Sequence, residues 1–180
     1  MPSPAKTELR RHLRAELARM TPAAAAAASE STRRLIRSLP RWQAARVIAA
    51  YAAIPGEPDL HPFEWVPDRR LLLPRMANEI LVFHEISSPD QLLPGPFGVL
   101  EPDPQKCPAA DPATADLIFV PGLAFTPDGV RLGRGRGFYD RLLATLPAAV
   151  VRVGVCFPGQ LVGTLPRDPH DQSVDLVLAG

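Results

Sequence analysis

Six short apolar runs, with helix-patterned stretches between several of them, restrict this chain to few architectures. Residues 47–54 (VIAAYAAI), 71–73, 80–83, 116–120 (DLIFV), 150–155 and 174–178 have the length and composition of strands. Leu9, Leu13, Leu17 and Met20 recur at helical spacing, so a first helix carries one apolar stripe beside a basic one at Lys6, Arg10 and Arg14. Thr21 is placed to cap a second helix with Pro22 at its first position. The alanine run 23–28 favours that helix and Pro40 is expected to stop it. Further helices are expected near 60–66 and over 137–146. Strands alternating with helices predict a largely parallel sheet covered on both faces. The expected fold is α/β, a three-layer α/β/α sandwich of Rossmann-like type, with residues 1–180 as one domain.

Composition excludes several functional classes. Twenty Lys and Arg against nineteen Asp and Glu leave a net charge of +1, which argues against a nucleic-acid binder with a broad basic face. Basic function must therefore be local. Cys107 and Cys156 form neither a C-x-x-C pair nor a ligand cluster, which suits a reduced, cytoplasmic protein. No apolar run reaches membrane-spanning length and the N-terminus lacks a signal-peptide core, so no membrane association is expected. A monomer is expected. The 22 prolines exceed the usual share of about 5%, yet they fall mostly between apolar runs and punctuate the fold. The proline- and aspartate-rich stretch 102–112 reads as a surface loop.

One segment points to chemistry. Leu132-Gly133-Arg134-Gly135-Arg136-Gly137-Phe138-Tyr139-Asp140-Arg141 alternates glycine with arginine and then starts a helix. Glycine lets backbone N–H groups approach an anion, arginine offers forked donors, and a helix N-terminus adds partial positive charge. A buried strand at 116–120 and a long turn-rich connection through Pro121-Gly122 and Thr126-Pro127-Asp128-Gly129 precede it. That is the usual setting of ligands at the carboxyl end of a parallel sheet. The segment is neither G-x-x-x-x-G-K-[ST] nor G-x-G-x-x-G. On spacing alone it is a phosphate cradle or a flexible basic loop.

The run VPGLAFTPDGVRLGRGRGFYDR, from Val120 to Arg141, resembles the signature of the 5-formyltetrahydrofolate cyclo-ligase family. The likeness covers nearly the whole chain: Lys6-x-x-x-Arg10, GEPD from Gly56, LPR from Leu73, FGVLEP from Phe97, and the closing Gln160, Leu165-Pro166, His170-Asp171 and Val174-Asp175. The resemblance implies ATP-driven cyclisation of 5-formyltetrahydrofolate to 5,10-methenyltetrahydrofolate, with ATP as co-substrate, Mg2+ as cofactor, and release of ADP and phosphate.

By the same resemblance, ATP is held by Lys6, Arg10, Arg131, Leu132, Gly133, Arg134, Gly135, Arg136, Gly137, Phe138 and Tyr139. Arg134, Arg136 and Tyr139 serve catalysis, and Arg136 stands where many relatives carry lysine. Asp140 and Asp171 are the implied metal ligands. Ala52, Glu57 and Phe97 are implied for the folate, with Glu57 reading the pterin N–H edge and Phe97 stacking on the aromatic system. Without the resemblance, Lys6 and Arg10 read as a solvated helix face, Asp140 as a partner of the helix dipole, and Glu57 as an exposed turn acid. His170 reads as exposed, and Tyr51 and Trp65 as core. Two other classes compete: a sugar-phosphate isomerase or CoA-transferase-like enzyme of similar architecture, and a non-catalytic nucleotide- or folate-binding module.

Overall fold

The computed structural model describes residues 4–61 and 68–180, the side chain of Phe97 excepted. Its frame is a six-stranded sheet in the order β10-β9-β6-β1-β2-β3. The strands are β1 (Val47–Ala49), β2 (Arg70–Ala77), β3 (Ile80–Ile86), β6 (Leu117–Pro121), β9 (Val151–Cys156) and β10 (Leu176–Ala179). All neighbours pair in parallel except β2 and β3, which form an antiparallel hairpin turning at Asn78, whose φ is +55°. Two smaller ribbons pair β4 (Leu92–Pro94) with β5 (Leu100–Pro102), and β7 (Ala124–Phe125) with β8 (Arg131–Leu132).

Strand β6 shows why the sheet is covered on both faces, because each of its five residues is buried. Leu117 and Phe119 point into one core with Ile36 and Trp42, from the helices α2 (Pro22–Ser38) and α3 (Pro40–Ala44). Ile118 and Val120 point into the other, with Leu143 of α4 (Phe138–Thr145) and with Phe125. Helix α1 (Pro4–Leu17) lays Leu9, Leu13 and Leu17 against Leu123 and Leu132, over the β7–β8 ribbon instead of the main sheet.

Several boundaries differ from the sequence expectation for identifiable reasons. Thr21 caps α2 as expected, its hydroxyl accepting from Ala24 N at 3.2 Å. Leu39 ends α2 and at once opens α3, with Pro40 at its first position, so this proline starts a helix as well as stopping one. The run 47–54 pairs only as far as Ala49, with Ala50 N still donating to Leu72 O at 2.9 Å; beyond it the chain leaves the sheet. The connection after β6 is not structureless, since it holds the β7–β8 ribbon.

The stretch 102–112 is more than a surface loop. It buries Asp103 and Cys107, and Ala110 N donates to Phe83 O, which shields edge strand β3. The helix expected near 60–66, and Trp65 with it, falls largely on residues 62–67, outside the described residues. Tyr51 is in the core. Among the described residues, no helix is long and apolar enough to cross a membrane.

Candidate active site

The chain runs from β1 to β2 and β3 on one side of the sheet, then returns to β6, β9 and β10 on the other. Where strand order reverses, the connections leaving the carboxyl ends of β1 and β6 separate, and an open crevice results. A cleft of about 330 Å³ lies there. Tyr51, Ala52, Ile54 and Glu57 line it from the β1 side, Pro121 from β6, and Gly133, Arg134, Arg136, Gly137, Phe138, Tyr139 and Asp140 from the glycine-rich loop and α4. The facing wall is largely apolar: Pro74, Met76 and Leu81 from the β2–β3 hairpin, and Val99 beside Glu101 from the β4–β5 ribbon.

Arg131 organises one end. It is 5% exposed, donates from Nη1 to Pro121 O (3.2 Å) and from Nη2 to Asp140 Oδ1 (2.9 Å), and lies 5.7 Å from the centre of the Tyr139 ring. Its Nε has no hydrogen-bond partner among the described residues, a buried donor left open at the edge of the cleft. Gln172 N also donates to Asp140 Oδ1, at 3.3 Å. Burial, reinforced by the Glu57 charge, pushes the Tyr139 hydroxyl far above the ordinary tyrosine value, so this phenol remains protonated.

Glu57 and Arg134 organise the other end. The Glu57 side chain is 5% exposed; Oε1 accepts from Arg134 Nε at 2.7 Å and Oε2 from Ile54 N at 3.3 Å. Burial raises the carboxyl above its ordinary value, while the Arg134 charge and hydrogen bond oppose that rise. Arg134 also donates from Nη2 to Pro55 O at 3.2 Å. The loop that carries it needs glycine: Gly135 has φ +105° and Gly137, which opens α4, has φ +67°.

Helix α1 brings its basic stripe to this loop in an unexpected way. Arg10 Nε donates to Gly133 O (2.9 Å) and Arg14 Nη2 to Arg134 O (2.8 Å). Lys6 is 2% exposed, and its ammonium lies on the carboxylates of Asp168 (2.7 Å) and Asp171. Burial works against the Lys6 charge, but the two acids outweigh it and hold the group above the ordinary lysine value. Asp171 is held below the usual carboxylate range: burial opposes this, and the Asp168 N–H and the Lys6 ammonium prevail. Asp168, His170 and Asp171 keep their potential ligand atoms within 4.8 Å of one another, and His170 is exposed.

The structure therefore gathers Ala52, Glu57, Arg131, Gly133, Arg134, Arg136, Gly137, Phe138, Tyr139 and Asp140 in one cleft. Lys6 does not sit on a solvated face: it is buried on α1 against two acids, because helical spacing assigns a residue to a face and not to a partner. Arg10 contacts the loop's carbonyl. Leu132 is 1% exposed and belongs to the apolar cluster under α1, and Gly135 and Asp171 are not part of the cleft lining. The Phe97 side chain lies outside the described residues. Arg14, Ile54, Pro74, Met76, Leu81, Val99 and Glu101 line the cleft without having been singled out for it. Arg14 had a local signal in its place on the stripe of Lys6 and Arg10, and Pro74, Val99 and Glu101 stand inside the LPR and FGVLEP motifs.

A model of the 5-formyltetrahydrofolate cyclo-ligase family matches residues 2–180. The fold is similar to the NMR structure of Aquifex aeolicus 5,10-methenyltetrahydrofolate synthetase, with a TM-score of 0.86 and 34% identity over 97% of this chain and 89% of that one. A 5-formyltetrahydrofolate cyclo-ligase of Mycolicibacterium smegmatis is 41% identical over 90 residues, 50% of this chain; the match spans 46%, less than half, of that relative's length. One of Haemophilus influenzae is 27% identical over 185 residues, 97% of this chain and 99% of that protein.

Proposed function

The chain belongs to the 5-formyltetrahydrofolate cyclo-ligase family, and on that premise we propose that it closes 5-formyltetrahydrofolate to 5,10-methenyltetrahydrofolate at the expense of ATP. The observation that carries this reading is a single cleft with a glycine–arginine loop at the mouth of α4 on one wall and an apolar surface on the other. An anionic phosphate chain suits the first and a pteridine with its aminobenzoyl group the second.

ATP is required by the reaction itself. A formamide oxygen cannot leave as hydroxide at neutral pH, but it can leave as phosphate. In the proposed sequence the formyl oxygen attacks the γ-phosphorus, the N5 lone pair shifts toward the formyl carbon, and ADP departs. N10 then adds to that carbon and loses its proton, and expulsion of phosphate leaves the methenyl bridge. Held side by side, N10 and the formyl carbon react within one molecule, so most of the barrier reduction comes from alignment and from neutralising the phosphoryl oxygens.

The residues divide accordingly. Loop N–H groups with Arg134 and Arg136 receive phosphoryl oxygens, while the neutral Tyr139 phenol donates a hydrogen bond to the oxygen being transferred to. Glu57 accepts from the pterin N–H edge and Ala52 gives the ring room. The donor set fits Mg2+: Asp140 and Asp171 are hard oxygen ligands, and Gln172 N on Asp140 Oδ1 brings the segment after Asp171 beside Asp140. Asp140 Oδ1 is taken twice, and Asp171 Oδ2 is taken by Lys6 and by Asp168 N, which leaves the second oxygen of each to a cation. Asp140 and Asp171 would hold the ion, whose chemistry is to neutralise charge on the phosphates.

The test follows the near-ultraviolet absorbance of the methenyl product. Conversion should require both a nucleoside triphosphate and a divalent cation. Equal turnover without nucleotide would overturn the reading, and nucleotide binding without any folate conversion would favour the binding module.

A further inference from the structure

The two arginines of α1 that meet the glycine-rich loop do so through consecutive backbone carbonyls, Arg10 on Gly133 O at 2.9 Å and Arg14 on Arg134 O at 2.8 Å. They stand one helical turn apart on the same face of α1, so one rigid element grips two successive peptide groups. In a trans peptide the C=O and the following N–H point in opposite directions. With both carbonyls drawn toward α1, the N–H groups of Arg134 and Gly135 are turned away from it. Neither of these N–H groups has an acceptor among the described residues. The Arg134 side chain, for its part, spends Nε on Glu57 and Nη2 on Pro55 O.

We propose that Arg14 is a positioning residue for the phosphate site: by holding Arg134 O it aims the N–H groups of Arg134 and Gly135 at phosphoryl oxygens, without needing to touch the nucleotide itself. The inference rests on the nucleotide reading of this loop. Its physical content is preorganisation. A glycine-flanked peptide is free to rotate, and a loop whose peptides are already oriented does not lose that freedom when the anion binds. Arg14 is exposed, so its removal leaves no buried charge behind.

Arg14→Met, which removes the donor, and Arg14→Lys, which keeps a cation of similar reach, are compared with the wild type on the full chain. Calorimetric titration with a non-hydrolysable ATP analogue and Mg2+ is paired with a separate titration of 5-formyltetrahydrofolate. The amide signals of Arg134 and Gly135 are followed by 15N NMR in the nucleotide titrations of all three proteins. Arg14→Met should bind the analogue about tenfold more weakly, the size of one lost charge-assisted hydrogen bond. Folate affinity should stay within twofold, and the nucleotide-induced shifts of the two amides should collapse. Arg14→Lys should restore most of the affinity.

Unchanged analogue affinity in Arg14→Met overturns the proposal. So does weakened affinity with both amide shifts intact, which would make Arg14 a direct charge on the phosphate. Failure of the wild type to bind the analogue at all would instead remove the nucleotide reading on which the proposal stands.

Discussion

Glu57 and Arg134 stand 77 positions apart in sequence and 2.7 Å apart in space, and this one contact changes what each can do. In the proposed function Glu57 is assigned to the folate and Arg134 to the nucleotide. As an ion pair they share a fate, because on the proposed roles a pterin that took up the Glu57 carboxylate would loosen the arginine on the glycine-rich loop. Glu57→Gln should therefore raise KM for 5-formyltetrahydrofolate by roughly tenfold and should also shift KM for ATP, which a residue confined to the folate site would leave alone. Since burial lifts the Glu57 carboxyl above its ordinary value, the wild-type folate KM should rise as pH falls through that raised value. The variant should be flat there. Steady-state kinetics at several pH values check both, and an ATP KM unaltered in the variant would separate the two roles again. Asp140, which by position alone reads as a partner of the helix dipole, lies in the first turn of α4 and lines the cleft, held there by Arg131.

At the scale of elements, local signals located strands and caps well and missed their extents. The glycines that open α4 and the Thr21 cap are where local chemistry puts them, since a positive φ and an unsatisfied N–H are problems solved within a few residues. Strand β1 is shorter than its apolar run because pairing partners, and not propensity, end a strand. The residues freed beyond Ala49 become a wall of the cleft. The β7–β8 ribbon was hidden for the converse reason: its two-residue strands are too short to show a period, and packing defines them. Phe125 is 0% exposed, its ring set closely against Gly122 and Gly154, where any Cβ would fall within 3 Å of it. Phe125→Ala should cost about 3–5 kcal/mol, read from the urea midpoint. Leu161→Ala, at an exposed site, should stay within about 0.5 kcal/mol. A small loss at Phe125 would mean that the ribbon closes over the cavity.

At the scale of the molecule, Lys6 ties the first helix to a loop 165 positions away through Asp171, with Asp168 beside it. Lys6→Met should cost about 3 kcal/mol near neutral pH, because it leaves two neighbouring acids without their cation. Asp171 titrates below the ordinary carboxylate value in the folded state, so the stabilisation is present above that ordinary value and is lost as pH falls through the lower one. Lys6, raised above the ordinary lysine value, keeps its share until strongly alkaline pH. Urea unfolding of wild type and variant should accordingly differ most near neutrality and converge in acid; a gap constant from pH 3 to 7 would refute the pairing. The sequence by itself determined the alternation of strands and helices, the sheet's buried character, and a glycine–arginine loop with an acid behind it. Those features follow from spacing and conformational preference over a few residues. Only the tertiary structure decided that the cleft opens where strand order reverses between β1 and β6, and that the β2–β3 hairpin and β4–β5 ribbon supply its apolar wall. It alone decided which cation meets which carboxylate, because contacts across 77 to 165 positions depend on how whole elements pack.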